Sequence, residues 1–144
     1  MAANTSPIFI AKPNIQWAKL SASGSPTVSH TANGVLGTDV MVVYSASLNG
    51  SRIDEVKIIS LGTNPATVVR LFINNGLDNT VITNNTLIDE IDIAGTTISE
   101  VVSKPVTRIV YTNGLNLAPS QRLLAVTSVS QSDGLHITAF GGDY

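Results

Sequence analysis

Residues 39–61, DVMVVYSASLNGSRIDEVKIISL, decide the fold class. Two runs in which apolar residues recur at alternate positions flank the pair Asn49-Gly50. A period of two sends successive side chains to opposite faces of an extended chain. Asn-Gly accepts the positive φ that a tight turn demands. The pattern predicts a hairpin that pairs 39–48 with 51–61. Leu48 would face Ser51, Val43 would face Val56 and Met41 would face Ile58 on an apolar side. Tyr44 would meet Glu55, and Val42 would meet Lys57, on an amphipathic one.

Similar punctuation runs through the chain. Asn33-Gly34, Asn75-Gly76, Asn113-Gly114 and Asp133-Gly134 are four more turn pairs. Residues 66–73, ATVVRLFI, are almost continuously apolar apart from Arg70, which suits a central strand covered on both faces. Residues 15–20, 80–83, 86–93 and 106–112 read as strands, 115–120 as an extended piece bent at Pro119-Ser120, and 121–128 with 135–140 as a second hairpin around the loop 129–134. Residues 7–11 lie between Pro7 and Pro13, and a proline cannot donate to a ladder, so they read as an edge strand or an extended arm. Residues 21–27 and 30–37 read as connections and 74–79 as a polar loop, and 97–101 fits either a strand or one helical turn. No segment keeps a helical period. Eight to ten strands in 144 residues predict an all-β, two-sheet antiparallel β-sandwich of jelly-roll type. An extended N-terminal arm (1–13) would precede a single domain (14–144).

A chain of this length buries enough surface to fold without a metal or disulfide, and it has no cysteine. That removes disulfides, thiolate metal sites and thiol nucleophiles together. Only 12% of residues are charged and the net charge is −2, with Lys and Arg scattered, so direct nucleic-acid binding is not expected. A surface poor in charge and rich in Ser, Thr and Asn suits a flat, wet protein contact as well as it suits a neutral surface. The N-terminus lacks the basic and apolar regions of a signal peptide, and no apolar stretch is long enough to span a membrane as a helix.

Catalysis needs titratable groups that converge. The two histidines fall apart in the pattern, His30 in a connection and His136 in a strand, and no Gly-x-Ser-x-Gly elbow is present. Asp89, Glu90 and Asp92 form an acidic cluster, but alternation puts Asp89 with Ile91 on one face and Glu90 with Asp92 on the other, and the glycine and distal Glu of a calcium loop are missing. No catalytic residue, cofactor or metal site is expected. The aromatic residues are sparse, and Trp17 reads as a core or interface residue more readily than as a sugar platform.

Four stretches carry a resemblance: ANTSPIFIAKP at 3–13, TNPATVVRLFINNG at 63–76, NNTLIDEIDIAGTTISE at 84–100 and AFGGDY at 139–144. Together they resemble a group of small tailed-phage and prophage virion structural proteins, with the likeness spread over most of the chain. The resemblance implies a head decoration (cement) protein located on the phage head surface and synthesised in the bacterial host cytoplasm. Its implied partners are the major capsid protein and further copies of itself, a cyclic trimer being favoured, with no nucleic acid and no membrane. The arm could add a strand to a neighbouring sheet, so Ile8, Phe9 and Ile10, together with Trp17, are the candidate subunit or capsid contacts. One alternative is a tail- or fibre-associated carbohydrate- or receptor-binding module, with a groove framed by Trp17, Tyr44 or Tyr111. Another is a hydrolase that uses His136 or His30 with an aspartate.

Overall fold

The computed structural model describes residues 10–21, 36 and 40–144. Among these residues there are eight strands: β1 (Lys12–Leu20), β2 (Met41–Ser45), β3 (Ser51–Ser60), β4 (Thr67–Asn74), β5 (Asn85–Ile93), β6 (Val106–Leu117), β7 (Arg122–Thr127) and β8 (Leu135–Asp143). They form two four-stranded antiparallel sheets, sheet A in the order β1-β8-β3-β6 and sheet B in the order β2-β7-β4-β5. Pairing β1 with β8, β2 with β7, β3 with β6 and β4 with β5 is the pattern of one long hairpin. Rolling that hairpin up adds the β3·β8 and β4·β7 ladders. The result is a jelly-roll sandwich, as the sequence predicts.

The hairpin expected across Asn49-Gly50 does not form. The turn is there: Gly50 has φ +90°, and its N–H donates to the Ser47 carbonyl at 3.0 Å. However, it is a corner between sheets. β2 pairs with β7, and β3 pairs with β6 and β8. Alternation states which face of a strand is buried and leaves its neighbour open. Val43, Val56 and Ile58 are buried as the alternation requires, and Ile53, which strict alternation would turn to the other face, is buried too because the register shift between Ile53 and Glu55 resets the period. Val43 nevertheless belongs to the opposite wall of the core from the other three. The second expected hairpin fails in the same way, since β7 lies in sheet B and β8 in sheet A.

Other expectations also shift. Residues 80–83 enter a short 3-10 turn, Ile82–Asn84, rather than a strand. Residues 97–101 form neither strand nor helix; the nearby order is a single bridge between Asn64 and Thr96. Residues 106–117 are one strand running through Gly114. A register shift lies opposite, between Ile53 and Glu55. The expectations for Ile8, Phe9, His30 and Asn33-Gly34 lie outside the described residues.

The main core fills the space between the sheets. Leu20, Ile53, Val56, Ile58, Leu135 and Ile137 from sheet A meet Val43, Tyr44, Val69, Leu71 and Leu123 from sheet B. Burying each such aliphatic side chain contributes about 1.5–3 kcal/mol. A bulge between Val42 and Tyr44 lets two consecutive residues of β2, Val43 and Tyr44, both turn inward. β4 is covered on its second face as well, because Phe72 packs with Leu124, Val126, Leu36 and Val40 in a smaller cluster. On β4, Arg70 donates to its cross-strand partner Glu90 at 2.5 Å.

Candidate functional site

Residues of the stretches 63–76 and 139–144 are used structurally. Asn64 is buried; its carboxamide donates to Ser60 Oγ and the Gly134 carbonyl and accepts the N–H groups of Asp133 and Gly134. It locks the β3–β4 loop to the β7–β8 loop. Asn74 accepts from Arg122 Nη2 at 2.7 Å and from the Gly76 N–H at 2.8 Å, and donates to Asn85. These bonds shape the β4–β5 loop.

The AFGGDY segment finishes at the same end of the sandwich as the β4–β5 loop, away from Asn64. A Cβ on Gly141 would stand 2.0 Å from the Arg52 carbonyl oxygen, so only glycine lets β8 lie that close to β3 at the register shift. The Asp143 carboxylate accepts from Ser51 Oγ at 2.6 Å, from Asn14 Nδ2 at 2.9 Å and from the Tyr44 hydroxyl at 3.2 Å. Burial pushes its carboxyl up, but the bonds from Ser51, Asn14 and Tyr44, with Lys12 nearby, outweigh that and hold it below the usual carboxylate range. Burial, and then the Asp143 charge, push the Tyr44 phenol up to about 12.

The acidic segment divides as alternation requires. Glu90 and Asp92 are exposed, while Asp89 turns toward sheet A and accepts from the Tyr111 hydroxyl at 2.8 Å. Burial first, and then this bond to a carboxylate, push the Tyr111 phenol upward. Among the described residues no three His, Cys, Asp or Glu side chains come together as a metal centre would require, and no helix is long and apolar enough to cross a membrane. His136 is exposed on β8, paired in register with Lys19 and Ile59.

The outer face of sheet A carries a group of exposed apolar residues. Its three central rows run across all four strands: Lys19–His136–Ile59–Val106, Trp17–Thr138–Lys57–Arg108 and Ile15–Phe140–Glu55–Val110. Trp17 is 69% exposed, Val110 66%, Ile15 51% and Val106 46%. Ile10 folds over the end of β8, where a Cβ on Gly142 would meet its Cγ2 at 2.2 Å. Arg108 pairs with Glu55 at 2.7 Å, and Lys57 between the apolar rows has no ion pair among the described residues. Exposed apolar residues collected on one sheet face mark a contact surface more often than scattered ones do.

The structure therefore brings two of the four expected contact residues, Ile10 and Trp17, to one open face. Sequence reasoning missed Ile15, Val106 and Val110, although each stands at an alternate position beside a charged or polar residue. The groove that the alternative carbohydrate-binding reading asks for, framed by Trp17, Tyr44 or Tyr111, is not built from these three rings together. Tyr44 is fully buried, Tyr111 spans the two sheets and Trp17 lies on the outer face.

No known family, curated protein or solved structure matches the chain.

Proposed function

We propose that the chain is a phage virion structural protein: a capsid decoration (cement) protein that binds the outer surface of the head shell, stabilises it, and acts as a homo-oligomer rather than an enzyme. The observation that carries this reading is the open face of sheet A, with Ile15, Trp17, Val106 and Val110 exposed around the charges of Lys57, Arg108 and Glu55. A core of exposed aromatic and aliphatic groups with a sparse set of charges is the composition of an interface centre. The jelly roll is an architecture that viral capsid proteins use repeatedly, and the likeness of 3–13, 63–76, 84–100 and 139–144 to phage decoration proteins points the same way. Two sheets that fold without disulfides suit a subunit that is made soluble and then added many times to a shell.

Co-sedimentation with particles of the phage or prophage that encodes the chain tests this reading. The protein is expected to travel with filled heads and to be absent from isolated tails. Recovery with tails alone, or with no particle fraction, would overturn it.

A further inference from the structure

A second site lies at the end of the sandwich where β3 begins and β6 and β8 finish, and it shares no residue with the Trp17 face. It is a cleft of about 540 Å³ lined by Asn49, Asn116, Leu117, Ala118, Gln121 and Tyr144. No charged side chain lines it. Its floor lies at Leu117, whose side chain is buried in the main core, and the Tyr144 ring closes one side, its Cδ2 3.6 Å from where a Cβ on Gly50 would stand.

The polar groups around this floor are already oriented. The Tyr144 hydroxyl donates to Asn116 Oδ1 at 2.8 Å. The Gln121 Oε1 accepts the Ala118 N–H at 2.8 Å; because an N–H only donates, this bond fixes which end of the Gln121 carboxamide faces inward. Both carboxamides thus have their oxygens engaged within the protein and, among the described residues, their NH2 groups left as donors, and Asn49 adds a third amide on the facing turn. The turn that carries Gln121 has Pro119 followed by Ser120 at φ +68°, a position where glycine or asparagine is usual. It is the only non-glycine residue with positive φ among the described residues.

From this geometry we infer that the Asn49/Asn116/Gln121/Tyr144 cleft binds a neutral saccharide unit. Amide NH2 groups meet sugar oxygens, while the Tyr144 ring takes the apolar C–H face. The lining side chains offer no cationic group for a phosphate and no set of carboxylates for a metal ion. This site would let an assembled particle touch a glycan while the face of sheet A is occupied, and it does not depend on the shell-binding reading.

Titration of the isotope-labelled protein with the methyl glycosides of glucose, galactose, mannose and N-acetylglucosamine, followed by amide NMR shifts, tests the inference. At least one glycoside is expected to move the side-chain amide signals of Asn49, Asn116 and Gln121 with saturable, millimolar affinity. Tyr144→Ala should weaken it about tenfold, the size of a lost ring contact of about 1.4 kcal/mol. Tyr144→Phe keeps the ring and should retain most of the binding. Circular dichroism confirms that each variant is folded, and Asn116→Ala serves as a second test should Tyr144→Ala unfold. Four glycosides without effect, shifts that map to the Trp17 face, or a response to trialanine but to no sugar would each overturn the inference.

Discussion

The side-chain carboxamide of Gln16 pairs with both backbone groups of Ser45: Nε2 donates to the Ser45 carbonyl at 3.0 Å, and Oε1 accepts the Ser45 N–H at 2.9 Å. Gln16 lies on edge strand β1 of sheet A and Ser45 on edge strand β2 of sheet B. One side chain thus does what a neighbouring strand would do, and it ties the sheets together where the sandwich is open. At the other open side, the bond from Tyr111 on β6 to Asp89 on β5 performs the same task. Gln16→Ala should lower unfolding stability by about 1–2 kcal/mol, since two modest hydrogen bonds are lost at a partly exposed site. Gln16→Glu keeps the acceptor but sets a carboxylate against the Ser45 carbonyl, so it should cost at least as much. Urea unfolding of the three proteins checks this.

The carboxylate of Asp143 gives an acid dependence with a definite sign. Its folded pKa is below the ordinary value, so its stabilising contribution is present above the unfolded pKa of about 3.9 and is lost as pH falls through the lower folded value. Asp143→Asn should cost about 1–2 kcal/mol at neutral pH, because Ser51, Asn14 and Tyr44 lose a charged acceptor. The variant should also show a flatter decline below pH about 4. Thermal midpoints measured across acid pH for both proteins report the difference.

At alkaline pH the sign reverses. The Tyr44 phenol is raised from 10.0 to about 12, so its contribution is complete below pH 10 and is lost as pH rises through about 12. Tyr111 moves in the same direction. Phenolate absorbance from these two tyrosines should therefore lag behind that of free tyrosine and rise together with the loss of the far-ultraviolet β signal. Full ionisation of both at pH 10 with the fold intact would be inconsistent with their burial.

Two glycines separate steric need from tolerance. Gly141→Ala drives a Cβ to 2.0 Å from the backbone oxygen of Arg52, which no side-chain rotation relieves. It should destabilise by about 1–3 kcal/mol or prevent folding. At Gly95 the nearest atom to an added Cβ is the Ala66 nitrogen, at 3.2 Å. Gly95→Ala should shift the thermal midpoint only slightly. Comparison of the two melts is a direct check on the close packing of β8 against β3.

How much of this was legible in the sequence varies by residue. Alternation in 51–61 located β3 to within one residue of its end, and the turn pairs at Gly50, Gly76, Gly114 and Gly134 all carry the expected positive φ. The apolar run of β4 was correctly read as covered on two sides, with Phe72 in the second cluster. Partners were not legible. Ser51 pairs with Asp143 and Lys12 with Asp143, contacts between residues far apart in the chain that no local periodicity encodes. A turn signal such as Asn49-Gly50 reports a reversal of direction, and a corner between sheets uses the same backbone as a hairpin. Trp17 and Ile10 were picked out by their residue types. Ile15, Val106 and Val110 were not, because an exposed aliphatic residue on a strand looks the same in sequence as a buried one.

The account turns on the outer face of sheet A, so Trp17 is its most informative position. Its side chain is mostly exposed, and Trp17→Ser should leave urea stability within about 0.5 kcal/mol of the parent, as surface substitutions usually do. Light-scattering mass in solution for the parent and Trp17→Ser is the most direct test of assembly through this face. The account predicts a parent of about three times the 15.1 kDa chain mass and a folded variant that dissociates toward the single chain. A parent that stays at the single-chain mass at every concentration, or a variant that assembles as the parent does, would contradict it.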